Sequence, residues 1–249
     1  MISESRKLFF RTASVAFDDE LALKLAAEKK YAALTILTYQ KMDLPDFEMT
    51  PKKTPVIHLD KNPEEILSGF NDTARNEIRK TFNLANLKCV QGAEFFADAY
   101  ELYKKFEYGQ GRVPFSAKEM RTFHPFVAYW RNRPISLIFC LESYPYLRAR
   151  SICSARLQAK DKEIYRLIAS ATRRLIYEVC VYGRSKGYRW FDLGSINLTD
   201  TEKSSIAQFK SFFRGELIDE YTYFRKSRFF KILEKFVKIK LIIYKIFKI

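Results

Sequence analysis

The sequence predicts a mixed α/β protein. Its core is a mostly antiparallel sheet flanked by helices, preceded by a small N-terminal unit and followed by a basic amphipathic helix. Three observations lead to this. Between Pro125 and Ala169, successive short runs rich in β-formers are joined by tight turns, which is strand spacing. From Ser170 the apolar spacing becomes helical and runs to Ser185-Lys186-Gly187, where a strand-like stretch, Tyr188 to Leu193, follows at once. A second helical stretch carrying Ile206, Phe209 and Phe213 on one stripe then closes at Gly215.

With 249 residues the chain has room for one large domain or two small ones. A hydrophobic content of 47% and an aromatic content of 16% exclude disorder over most of that length. The formal net charge of +15 points to an anionic partner: nucleic acid, a phosphate-bearing substrate or a membrane surface. It is unevenly spread. Residues 225–249 hold nine Lys and Arg against Glu234 alone, so over half of the excess lies in the last tenth of the chain.

Taken in order, residues 1–54 form the small unit: a strand near Leu8 to Val15, a helix from Asp18 to Lys30 with Asp18 as N-cap, and a strand from Tyr31 to Tyr39. The linker DLPDFEMTPKKTP follows, where Pro45, Pro51 and Pro55 argue against regular pairing. Residues 55–225 form the main domain. It opens with a short strand, Val56 to Leu59, and a helix capped by Asn62 with Pro63 at its first position. A basic helix from about Asp72 then places Arg75 and Arg79 on one face.

Within this domain Leu87 to Val90 is a further strand and Ala93 to Tyr108 an amphipathic helix. The sheet proper is expected as a hairpin, Phe126 to Trp130 and Ile135 to Leu141, then Tyr146 to Leu157 and Ile164 to Ala169, a four-stranded antiparallel meander. The helix from Ser170 joins this run to Tyr188 to Leu193, which allows a parallel pairing. The last strand is Leu217 to Phe224. Residues 226–249 alternate apolar and lysine positions at helical spacing, without the roughly 20 consecutive apolar residues that a membrane span needs. Such a helix suits an anionic membrane surface, or docking on its own domain or a second subunit.

Cys89, Cys140, Cys153 and Cys180 form no CxxC pair, and His58 and His124 are the only histidines. No metal site or disulfide framework is expected, and Cys140, Cys153 and Cys180 read as small core residues. The N-terminal MISESRKLFFRTAS has no apolar core long enough for a signal peptide, so a reducing, cytoplasmic compartment is expected.

Three words in the chain then carry a resemblance. They are VIHLDKNPEEILSGFNDTARNEIRK, LIYEVCVYGRSKGYRWFDLGS and IAQFKSFFRG. In order and spacing, over roughly residues 55–225, they resemble the Fem family of peptidoglycan bridge-forming aminoacyltransferases and the related GNAT and BioF2-like acetyltransferase domains. There are two departures: Arg214 stands between the last Phe of the third word and Gly215, and IASATRRL lacks the glycines with which acetyl-CoA-dependent GNAT enzymes hold a pyrophosphate. The resemblance implies a GNAT-like sheet and transfer of an acyl or aminoacyl group to an amine of a cell-envelope sugar or peptide precursor. Acyl-CoA or aminoacyl-tRNA would be the co-substrate, with no tightly bound cofactor. The partners would be the glycan or peptide precursor, tRNA if it is the donor, and the inner face of the membrane through 226–249. A non-catalytic basic nucleic-acid-binding protein is the alternative that charge alone would satisfy.

The candidate residues follow from position and resemblance together. Lys210, the motif lysine, is suited to stabilising an oxyanion or holding a donor phosphate; the alternative is a snorkelling surface lysine. Asp192, at the carboxyl end of a buried strand, is suited to accepting or orienting the amine proton; the alternative is a cap on the following loop. Arg173 and Arg174, read as opening a helix, make a local anion site, and Arg75 and Arg79 are further candidates for an anionic substrate.

Overall fold

In the computed structural model, residues 2–7, 9–196 and 204–232 are described. The chain clusters into two compact units, Met1–Lys52 with Asp219–Ile249 and Lys53–Ile218, and it passes between them within two long strands. The last strand thus belongs largely with the N-terminal segment, whereas the sequence reading put it with residues 55–225.

In the first unit, β1 (Ile2–Lys7) and β2 (Phe10–Ala16) form an antiparallel hairpin. A single strand was expected there, because the polar ISESRK shows no buried face. Helix α1 (Asp19–Glu28) then leads to β3 (Ala33–Thr38), which pairs parallel to β2, and β10 (Glu216–Lys226) pairs antiparallel to β3. The expected N-cap is in place, the Asp18 side chain accepting from the Leu21 amide at 3.1 Å. Val15, Leu25, Leu34, Ile36 and Tyr223 fill the core of this unit. Beyond β10, residues 228–232 are helical, with Phe230 buried against Phe10 while Phe229 and Ile232 are exposed. The remainder of the expected C-terminal helix, 233–249, lies outside the described residues.

The second unit is built on strands in the order β4, β9, β8, β7, β6, β5. β4 (Glu48–His58) enters this unit at Lys53 and contains both Pro51 and Pro55, against the expectation of an unpaired linker. Proline removes a donor and keeps its carbonyl. The Pro55 oxygen accepts from Leu193 at 3.0 Å and the Lys53 oxygen from Ile196 at 2.8 Å. Helices α2 (Pro63–Gly69) and α3 (Asp72–Phe82) follow, the first closed by a full capping box between Asn62 and Glu65. β5 (Leu87–Gln91) precedes a 3-10 turn, Ala93–Phe95, and α4 (Phe96–Gly109); α5 (Ala117–Met120) is a single turn.

β6 (His124–Trp130), β7 (Arg133–Ser143) and β8 (Tyr146–Ser154) are the expected hairpins. Arg131 and Asn132 make the two-residue turn, both at positive φ (48° and 61°). The fourth strand of the meander is β5. Ile164 to Ala169 is helical, part of α6 (Lys162–Ser185), which begins two turns earlier than expected. Ile164, Leu167 and Ile168 stand at i, i+3 and i+4, a spacing that a short β-rich run disguises.

Alternation along β6 and β7 covers both faces of the sheet. Phe126, Ala128, Ile138 and Cys140 pack with α6, while Val127, Leu137 and Phe139 pack with α4. Cys140, Cys153 and Cys180 sit in these cores as expected. β9 (Trp190–Asp192) lies between β4, antiparallel, and β8, parallel, with α6 as the connection that permits the parallel pair. α7 (Ser204–Ser211) closes the unit. Arg214 after it holds the left-handed conformation (φ 47°), and Gly215 lies against β4, where an added Cβ would stand 3.0 Å from both the backbone nitrogen and oxygen of Val56.

Substituting Gly215 by Ala is therefore expected to cost about 1–3 kcal/mol, read as a lowered melting temperature. Arg214→Gly, which relieves a left-handed non-glycine residue, should leave stability unchanged or raise it by about 1 kcal/mol. A Gly215→Ala chain melting with the wild type would contradict the close approach to β4.

Candidate functional site

β8 and β9 run parallel for three pairs: Tyr146 with Trp190, Leu147 with Phe191, and Arg148 with Asp192. Leu147 and Phe191 face the α6 core, so the alternation sends Arg148 and Asp192 to the opposite face, side by side at the end of the pairing. Asp192 is fully buried. One carboxylate oxygen is in ion-pair contact with Arg148 and the other accepts from the Thr54 hydroxyl on β4. The second oxygen also accepts from the Gly194 amide at 2.6 Å, two residues ahead, which makes Asp192 the cap of the loop leaving β9.

That loop is shaped by Gly194 (φ 83°), whose missing side chain leaves the Ala149 carbonyl 3.3 Å and the Lys210 ammonium 3.5 Å from where a Cβ would stand. Lys210 Nζ donates to the Gly194 oxygen at 2.7 Å and to the Ser195 oxygen at 2.9 Å. At 8% exposure Lys210 is buried, which overturns the snorkelling alternative. Arg148 adds a bond to the Ser195 hydroxyl at 3.3 Å. A carboxylate and two cations thus converge on the loop from Asp192 to Ser195.

α7 is held so that Lys210 reaches the loop. Phe213 is buried between Phe70 and Phe209, with ring centroids at 5.1 and 5.4 Å, and the Phe212 carbonyl accepts from Asn71 at 2.9 Å. Ile206, expected on the same stripe, is 51% exposed; only the Phe209 and Phe213 end of the helix is anchored in core.

The four arginines fare differently. α6 starts at Lys162, so Arg173 and Arg174 lie mid-helix and not at a helix N-terminus. The true N-terminus is capped by Asp161, which accepts from Glu163 at 2.7 Å, so acidic groups already occupy the positive end of the helix. Arg174 stacks on Phe82 at 3.4 Å and pairs with Glu178. Arg75 is tied to Asp72 at 2.6 Å and Arg79 to Glu64 at 2.7 Å. Arg173 lies against the aromatic side chains that flank Lys210 in sequence: its guanidinium is 5.8 Å from the Phe209 ring and 4.9 Å from the Phe212 ring, and it donates to Glu77 at 2.7 Å.

Sequence reasoning missed Arg148, Thr54 and a bulge in β8. Against β7, Phe139 opposes Ser151 and Cys140 opposes Ala149, which leaves Arg150 as the extra residue two positions beyond Arg148. The readable signal was the alternation Leu147-Arg148-Ala149, a cation inside a buried strand. Among the described residues no group of three His, Cys, Asp or Glu side chains comes together in a way that could hold a metal ion.

Neither a protein-family model nor a curated protein matches the sequence. Solved structures match by fold. The C-terminal DUF2156 domain of a protein assigned as a lysylphosphatidylglycerol synthetase, from Agrobacterium fabrum, superposes with a TM-score of 0.59 at 11% identity, covering 96% of this chain and 84% of that one. FemX gives 0.59 at 11% identity over 89% and 82%. L-PGS from Bacillus licheniformis gives 0.55 at 13% identity over 91% and 81%. The chain has the fold of FemX and of these synthetase domains, in keeping with the sequence resemblance to the Fem family.

Asp192→Asn keeps the shape and leaves Arg148 buried without its counter-charge, which is expected to cost about 3–5 kcal/mol in denaturant unfolding. The double change Arg148→Met with Asp192→Asn, which removes both charges and keeps an amide oxygen for Thr54 and Gly194, should recover most of that loss. A single variant within about 1 kcal/mol of wild type would contradict a dry, committed ion pair.

Proposed function

We propose that the chain is an acyltransferase that moves an acyl or aminoacyl group onto an amine of a cell-envelope sugar or peptide precursor, with Lys210 at the reacting centre. The observation that carries this reading is the buried Lys210 ammonium, fixed by two consecutive carbonyls at the carboxyl end of β9. Burying an ammonium is costly, and residues kept in such a state cluster at functional sites. The fold shared with FemX, L-PGS and the domain assigned to a lysylphosphatidylglycerol synthetase supports the reaction class, and the last name, which joins a lysyl group to phosphatidylglycerol, supports an aminoacyl cargo.

In this reaction the amine nitrogen attacks the acyl carbonyl carbon and its oxygen becomes an oxyanion. The thiol sulfur of an acyl-CoA, or the ribose oxygen of an aminoacyl-tRNA, then departs with the bonding pair and takes up the proton that the amine loses. A preorganised cation beside the oxyanion lowers the barrier without reorganising at the moment of reaction, and Lys210 fills that role. Asp192 is a positioning residue: committed to Arg148, Thr54 and Gly194, it fixes the loop whose carbonyls hold Lys210. The co-substrate is acyl-CoA or aminoacyl-tRNA. The segment between β8 and α6 has no glycine and its helix is capped by Asp161, features that argue against an amide cradle for a CoA pyrophosphate and favour the tRNA donor.

We place the protein in the cytoplasm, at the inner face of the membrane, held there by 226–249; the exposed Phe229 and Ile232 begin the apolar face of that segment. Deleting residues 233–249 is expected to abolish sedimentation with anionic vesicles at physiological salt while the melting temperature holds. Unchanged sedimentation would remove the membrane claim.

Lys210→Met, assayed with acyl-CoA and aminoacyl-tRNA donors against amine acceptors from the envelope, should lower transfer by about 100-fold or more while unfolding stays cooperative. Wild-type protein that transfers nothing from either donor, with nucleic-acid binding indifferent to Lys210→Met, would instead favour a non-catalytic basic binding protein.

A further inference from the structure

Among the described residues of the first unit, the two most exposed large apolar side chains are Phe9 (86%) and Phe229 (75%), and both stand at one end of its sheet. Phe9 lies between β1 and β2, which only two residues separate, and a two-residue hairpin connection ordinarily takes Gly, Asn or Asp. Backbone hydrogen bonds bring the C-terminal segment back to this end: the Ala32 amide donates to the Arg11 oxygen at 2.9 Å, and the Ser227 amide to the Ala32 oxygen at 2.7 Å. The Phe10 and Phe230 rings then meet edge to face with centroids 5.7 Å apart. Phe230 is thereby buried. Phe229 and Ile232, at i and i+3 on the helical residues 228–232, are left on an outward stripe.

The same end is positively charged. The register sets Arg6 on β1 directly opposite Arg11 on β2, a like-charge pair that costs stability unless an anion answers it. Arg228 is exposed at the start of the helical turn, and Lys226 lies 6.0 Å from the Phe230 ring. The carboxylates here are fewer: Glu4 stands 3.8 Å from Arg11, and Glu48 3.0 Å from Lys231. Lys29 and Lys30 nearby are matched by Asp46 and Glu28. Protruding apolar tips set among cations fit an anionic lipid surface, where the tips enter the acyl boundary and the cations stay at the headgroups. A nucleic acid would answer the cations and leave Ile232 in water.

We propose that this end of the first unit is a membrane-docking surface, in which the turn between β1 and β2, led by Phe9, enters an anionic phospholipid layer together with Phe229 and Ile232. The lipid partner rests on the membrane reading given above; the turn is a second point of contact, at the other end of the chain from 233–249. Two contacts held together by the Phe10–Phe230 packing and by the Arg11–Ala32–Ser227 hydrogen bonds would fix which side of the first unit faces the lipid, which a single tail would not.

The test is partition of the full chain onto vesicles of phosphatidylcholine mixed with phosphatidylglycerol. Phe9→Ser should weaken partition about tenfold, while the melting temperature holds because the side chain it removes is exposed. In Phe9→Trp, fluorescence should shift to the blue on vesicles and be quenched by lipids brominated along the acyl chain, beyond the background of Trp130 and Trp190 in the wild type. The proposal is overturned if Phe9→Ser partitions as wild type does, or if Phe9→Trp gains no quenching. Partition that is lost on deleting 233–249 and indifferent to Phe9→Ser would leave the tail as the contact and remove the turn. Partition that survives the deletion and falls in Phe9→Ser would instead sink the tail's role and leave this surface standing. A chain that is dimeric in the ultracentrifuge and monomeric as Phe9→Ser, with partition unaltered, would give the surface to a second copy and overturn the lipid assignment.

Discussion

The contact between Arg148 and Asp192 is the constraint on which the candidate centre depends. The two residues occupy the last paired register of β8 and β9, inside a sheet whose other face is packed by α6. A carboxylate with no exposed surface is tolerable only if nearly all its hydrogen-bonding capacity is met. Arg148, Thr54 and the Gly194 amide meet it, drawing β8, β4 and the outgoing loop to a single point. The pair adds little net stability compared with apolar replacements. What it fixes is position: the loop carbonyls of Gly194 and Ser195 face one way, and Lys210 is held by them.

The same logic gives physical content to the short words in the sequence. Asp-x-Gly is an Asp-capped turn whose glycine supplies a left-handed residue and lets an ammonium approach the backbone. Phe-Lys-x-x-Phe is a helix end with two aromatic anchors that fix the lysine between them. The inserted Arg214 does not disturb this, because it takes the left-handed position itself and leaves Gly215 to meet β4.

Much of the architecture was legible from the residues. The strand-like runs on either side of Arg131 to Pro134, the caps at Asp18 and Asn62, and the change of spacing before Tyr188 set hairpins, helices and the parallel pair correctly. Failures came where local pattern and tertiary context disagree. Ile164 to Ala169 is short and β-branched enough to read as strand, yet its apolar residues lie on a helical face. Pro51 and Pro55 are breakers by donor count, yet β4 pairs through the carbonyls of Lys53 and Pro55. At the site, Lys210 and Asp192 were visible as charges within apolar segments. Arg148 was not singled out, since only strand register puts it beside Asp192. Arg173 was found for a reason that does not hold: it lies three turns inside α6, against the rings of Phe209 and Phe212.

The central claim is that Lys210 sits where an acyl group changes hands. The most direct measurement is mass spectrometry of envelope precursors from otherwise identical cells carrying the wild-type chain or Lys210→Met. The expected result is a precursor heavier by one acyl or aminoacyl group with the wild type and missing that group with the variant. Identical precursor masses in the two strains, with both proteins present and folded, would contradict the account.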